Sequence, residues 1–101
     1  MKTVMISQPM NGKTDEEIQY VRNQVKSKLE KLGYEVVNSY FNVEPENKKF
    51  PALWYLGESL KIMANCDCIY FCKGWSSARG CYMEYVAAKQ YGLELLFEDE
   101  I

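Results

Sequence analysis

The sequence predicts an α/β fold: an open parallel four-stranded sheet in order 2-1-3-4, flanked by about three helices. Three observations lead there. Short apolar runs alternate with amphipathic stretches as βαβαβαβ, which implies a parallel sheet covered by helices on both faces. The third run, CIYFCK at 68–73, is nearly continuous in apolar residues, the pattern of a strand buried on both sides. Right-handed crossovers and a topological switch then give the order 2-1-3-4, a flavodoxin- or Rossmann-like arrangement. The 101 residues suit one domain spanning 1–101.

KTVMIS (2–7) is the first strand, an apolar run bounded by polar residues. QPMNGK follows as a loop, marked by Pro9 and Asn11-Gly12. Thr14 and Glu17 form a capping box that opens the first helix. Ile18, Val21, Val25, Leu29 and Leu32 supply its apolar stripe, and Gly33 suits its stop. YEVVNSYF (34–41) reads as the second strand. A polar loop over 39–51 leads to a second helix from about Ala52 to Ala64. Leu53, Leu56, Leu60 and Met63 share one of its faces, with Gly57 a weak point. After the third strand, a third helix runs from about Ala78 to Tyr91 and stops at Gly92. LELLF (93–97) is the fourth strand, and EDEI a frayed acidic tail.

Composition narrows the function. The net charge of −2 lacks the electrostatic footprint of a nucleic-acid binder, so no polymeric nucleic acid is expected as partner. No apolar run approaches the ~20 residues of a membrane span, and the start lacks a signal-peptide pattern, so no membrane is expected and a cytoplasmic location is. There is no histidine. Ser-His-Asp and Cys-His catalysis are therefore excluded, and acid–base or nucleophilic chemistry falls to carboxylates, tyrosines, lysines or thiols. Cys66, Cys68 and Cys72 lie in and beside an apolar strand, and Cys68 and Cys72 share a face with Tyr70. They read as small buried hydrophobes rather than metal ligands or disulfides. No metal and no cofactor is expected. Cys81 falls in the first turn of a helix, where the positive helix end lowers a thiol pKa.

In open parallel sheets the ligand crevice lies outside the carboxyl ends of the strands, at the switch point. For order 2-1-3-4 that point lies between strands one and three, whose carboxyl ends carry SQPMNG (7–12) and KGWSSARG (73–80). Each loop opens a helix, whose free N–H groups suit anions. Glu84 follows about one turn into the third helix, where the dipole favours its anion. It is either a solvent-facing helix residue or a carboxylate aimed into the crevice, a ready nucleophile or general base. Arg79 is the anion ligand of the loop or a surface arginine, beside Gly80, which permits close approach. Ser76 and Ser77 either donate to a phosphate or sugar hydroxyl or cap the helix. Trp75 and Met10 either clamp a flat ring or pack in the core or an interface. Asn11-Gly12 is a turn or part of the same site. Asp67 reads as a cap of its loop. Trp54 and Tyr55 suggest a subunit interface or a pocket wall.

The set ISQPMNG (6–12), ANCDCIYF (64–71) and GCYMEYVAAKQYG (80–92) resembles the nucleoside 2-deoxyribosyltransferase superfamily over nearly the whole chain. With PALWYLGESL and FCKGWSSARGCYMEY it is most similar to a short branch found in Firmicutes and their phages. The resemblance implies that Glu84 is the catalytic nucleophile, forming a glycosyl ester as a nucleobase leaves. It implies that Ser7, Asn11, Gly12, Ser77, Arg79 and Gly80 line the substrate site, to which the reading of the two loops adds Met10, Gly74, Trp75 and Ser76. It further implies a nucleoside or nucleotide as small-molecule partner and a homo-oligomer. Transferases of the superfamily carry an acid where this chain has Ala78, which bears on base exchange, and Arg79 beside it suits a phosphate.

Two other functions fit the same scaffold. One is a non-catalytic binder of a nucleotide-derived small molecule, serving signalling or phage defence. The other is an assembly protein whose aromatics only build an interface. Fold alone does not decide between them.

Overall fold

The computed structural model describes residues 1–41 and 43–100. Asn42 of the long loop and Ile101 of the acidic tail lie outside the described residues. Four strands, β1 (Thr3–Ser7), β2 (Glu35–Val37), β3 (Cys68–Phe71) and β4 (Glu94–Phe97), form one sheet in the order β2-β1-β3-β4. All neighbours are parallel, with Val4 opposite Cys68, Ser7 opposite Phe71 and Phe71 opposite Phe97. Three helices connect them: α1 (Asp15–Lys31), α2 (Pro51–Met63) and α3 (Arg79–Tyr91). This is the predicted fold and strand order.

Strand alternation sorts the core into two layers. Val4, Ile6, Cys68, Tyr70 and Cys72 pack with Val25 and Leu29 of α1. Met5, Ile69 and Phe71 point the other way, against Met63 of α2 and Ala88 of α3. The four cysteines are free thiols, and Cys68 and Cys72 are buried on the face expected for them. Ser7 follows Met5 by two, so it faces α2 and α3 rather than α1.

The capping box forms at the start of α1. Thr14 Oγ1 accepts from Glu17 N at 3.2 Å, and Glu17 Oε1 accepts from Thr14 N at 3.0 Å. Pro51 occupies the first turn of α2, where its missing N–H is no loss.

Three expectations need correction. β2 pairs over three residues only, because from Asn38 the chain turns its polar groups to the carboxyl edge of the sheet. There Ser39 Oγ donates to Ile6 O at 3.2 Å. The leucine face of α2 is not a core face: Leu53 and Leu60 are exposed, and Met63 alone of the helix is fully buried. The acidic tail is not frayed over Glu98–Glu100, which form a 3-10 turn; Glu98 Oε1 accepts from Lys73 N at 3.3 Å. Among the described residues no helix is long and apolar enough to cross a membrane.

Candidate functional site

Parallel strands end together, so the loops after β1 and β3 meet at the carboxyl edge. Gly74 shows how closely they approach. Its φ of 87° lies in the left-handed region that favours glycine, and a Cβ there would stand 3.7 Å from Pro9 Cγ. Behind these loops opens a cleft of about 900 Å³. α1 supplies Asp15, Ile18 and Arg22; the segment after β2 supplies Ser39, Tyr40 and Phe41; α2 supplies Tyr55, Leu56 and Ser59. A second concavity along α1, lined by Gln24, Ser27, Lys28, Lys31 and Leu32, shares no residue with it and contains no buried carboxylate.

Glu84 faces the cleft. On α3 the buried positions are Cys81, Glu84 and Ala88, a helical stripe in which the carboxylate takes an apolar place. Glu84 is 8% exposed, and Ser7 Oγ donates to its Oε1 at 2.6 Å. Burial raises its pKa above the ordinary carboxylate value. The Ser7 and Ser59 hydroxyls and the Arg22 charge pull it back only in part. The helix end does not make this carboxylate a stronger acid than usual, contrary to expectation, because desolvation outweighs the favourable groups. Cys81 departs in the same way: burial pushes its thiol up to about 11, so the helix end leaves it protonated at neutral pH.

Of the other expected site residues, Met10, Asn11, Gly74, Ser77, Arg79 and Gly80 line the cleft. Ser7 joins through its bond to Glu84. Gly80 lies in the first turn of α3, and a Cβ added there would meet nothing within 4 Å. It therefore makes no close contact within the chain that a side chain would disturb. Gly12 and Ser76 are exposed and do not line the cleft. Trp75 sits elsewhere: its ring packs on Phe71, Tyr85 and Phe97 at centroid distances of 5.2, 4.6 and 5.5 Å. It fills the α3 side of the core, the second of the two readings weighed for it. Asp67 lies at the opposite edge of the sheet, accepting from Thr3 N and Oγ1. Tyr55 is a pocket wall, its hydroxyl donating to Val43 O and its ring edge-on to Trp54.

Sequence reasoning missed Arg22. Its guanidinium donates from Nε to Gln8 Oε1 and from Nη1 to Ser39 Oγ, both at 3.1 Å. Gln8 Nε2 in turn donates to Ile18 O at 3.0 Å. The signal was present: Ile18, Arg22, Val25 and Leu29 follow helical spacing, so a cation stands in the stripe that faces the sheet. Gln8 and Ser39 carried no comparable signal, because polar residues after a strand are ordinary.

A search of curated proteins finds no match. A family model described as a domain of unknown function, DUF4406, matches residues 2–97. That span runs from the residue before β1 to the last residue of β4 and takes in every strand of the sheet and Glu84, so the chain belongs to the DUF4406 family.

Proposed function

We propose that the protein cleaves or transfers the N-glycosidic bond of a nucleoside or nucleoside monophosphate, ribo or deoxy, with Glu84 as nucleophile. One observation carries the reading: a buried carboxylate, oriented by Ser7 at 2.6 Å, faces a cleft at the carboxyl edge of a parallel sheet. The resemblance to the nucleoside 2-deoxyribosyltransferases supports the same assignment. Glu84 Oε2 or Oε1 attacks the anomeric carbon as the bond to the base nitrogen breaks. The oxocarbenium character that develops is met by the carboxylate, as in retaining glycosidases. Water or a second base then attacks the glycosyl ester and releases Glu84. Burial makes the anion reactive, and Ser7 together with the Arg22 charge keeps it available.

Arg79, Ser77 and the first amides of α3 suit an anionic group of the substrate. Ala78 at the start of α3 makes no side-chain cap, whereas the first turn of α1 is occupied by its own Thr14 and Glu17. The reading also includes a homo-oligomer, in which the exposed Phe50, Leu53 and Leu60 would be covered.

The test is chromatography of nucleosides and 5′-monophosphates incubated with wild type and with Glu84→Gln. Free base released by wild type, reduced about 10⁴-fold or more in the variant, is the expected result. A nucleotide recovered bound to both proteins, with no base released, would replace the enzyme with a ligand-capturing module.

A further inference from the structure

Arg22 has a role to fill that its protein contacts do not explain. The residue is 7% exposed. Its two hydrogen-bond acceptors, Gln8 Oε1 and Ser39 Oγ, are neutral. Its Nη2 is buried with no hydrogen-bond partner among the described residues. A buried guanidinium without a bonded carboxylate is unfavourable, and an unpaired N–H on it more so. Such a group stands where a leucine would satisfy the core, on the stripe Ile18, Val25, Leu29.

Its surroundings indicate what would complete it. The guanidinium lies over the Tyr40 ring, 5.7 Å from the centroid. Phe41 follows in the chain, and its ring stands 6.3 Å from that of Tyr55. All four residues line the cleft. Flat apolar faces beside a cationic donor suit a heteroaromatic ring that carries hydrogen-bond acceptors. Besides Glu84, the cleft lining has one carboxylate, Asp15, which accepts from Tyr40 Oη at 2.8 Å. The chain has no histidine to protonate a leaving group.

We propose that Arg22 is the leaving-group cation of the site, its Nη2–H bonding an acceptor atom of the nucleobase as the base departs between Tyr40, Phe41 and Tyr55. The inference rests on the glycosidic reading of Glu84. As a Glu84 oxygen bonds to the anomeric carbon, the carbon–nitrogen bond breaks and its electron pair passes to the base. The base becomes an anion, its charge spread over ring nitrogens and, in an oxo-base, a carbonyl oxygen, and Nη2–H stabilises that charge. A solvent proton then neutralises the free base, and a water oxygen takes the sugar from Glu84. Nη2 is buried, so a side chain beside it must shift to admit the base, and Tyr40, whose ring lies by the guanidinium and is held by an exposed hydrogen bond to Asp15, is the group assigned that movement. Arg79, exposed on the cleft lining, serves the anionic group instead.

The test compares Arg22→Met and Arg22→Lys with wild type on two substrates: an ordinary purine nucleoside or monophosphate, and its N7-methylated counterpart. The methylated base departs neutral and needs no cation. Arg22→Met should lose about 10²-fold more in kcat/KM on the ordinary substrate than on the methylated one, the loss common to both reporting its charge beside Glu84, with Arg22→Lys between. Equal losses on both substrates would overturn the leaving-group role and leave Arg22 a structural residue. Circular dichroism checks folding, and if the Met variant does not fold the Lys variant carries the same comparison. Failure of wild type to release base from either substrate would defeat the glycosidic reading itself, and this inference with it.

Discussion

At the amino edge of the sheet, Asp67 accepts from Thr3 N at 2.9 Å and from Thr3 Oγ1 at 3.1 Å, while Lys2 pairs with Glu94 at 3.0 Å. At the carboxyl edge, Glu84 accepts from Ser7 Oγ at 2.6 Å and Arg22 Nη2 has no hydrogen-bond partner among the described residues. The amino-edge charges are exposed to water; the carboxyl-edge charges are buried, and Arg22 is incompletely partnered among the described residues. Their acids shift in opposite directions. Hydrogen bonds from Thr3 hold Asp67 below its ordinary value, and those from Cys68 and Lys2 do the same for Glu94. Desolvation holds Glu84 above its own. One edge uses charge to brace the ends of β1, β3 and β4. The other keeps charge out of water, which costs stability.

The largest test of this contrast is Ser7→Ala. It removes the donor that holds Glu84 and leaves the carboxylate less satisfied. Stability should fall by about 1–3 kcal/mol in denaturant melts. The acid limb of activity should move to higher pH, with kcat/KM down about tenfold or more. Glu84→Gln should go the other way in stability, gaining about 0.5–2 kcal/mol while activity is lost. A loss of stability in that variant would break the claim that the buried carboxylate costs stability.

The pH dependence sharpens the comparison. Glu84 has a raised folded pKa, so its contribution to stability is present below the unfolded value and lost as pH rises through the folded one. The advantage of Glu84→Gln should therefore be present at neutral pH and vanish as pH falls through the raised pKa. The acid limb of wild-type kcat/KM should likewise lie above the usual carboxylate range. Asp67 has a depressed folded pKa, so its contribution is present above the unfolded value and lost as pH falls through the folded one. Asp67→Asn should lower the melting temperature slightly at neutral pH and not at all in strong acid, with activity unchanged. This is the smallest effect, because the group is exposed.

Glu84 and Arg22 also show how much of the site was legible. Both break an apolar stripe at helical spacing: Cys81, Glu84, Ala88 on α3 and Ile18, Arg22, Val25, Leu29 on α1. Glu84 was found because it follows the loop at the switch point. Arg22 lies far from any loop, and only the packing of α1 on the sheet brings it to the same cleft. Trp75 went the other way, since a tryptophan in a loop gives no sign of which face of the sheet it covers. The α2 leucines misled for a related reason: their spacing states that they share a face, not that anything covers it.

What the amino-acid order determined by itself was local and periodic. The capping box of Thr14 and Glu17, the alternation that splits Cys68, Tyr70 and Cys72 from Ile69 and Phe71, and the βαβ rhythm each follow from rules within a few residues. From that rhythm and the handedness of crossovers came the strand order. Tertiary structure alone decided which polar groups lost their water. Ser7 and Glu84 are 77 residues apart in the chain and 2.6 Å apart in space. Whether a carboxylate ends up solvated or desolvated depends on what packs over it, and desolvation, not residue type, sets its pKa and its chemistry.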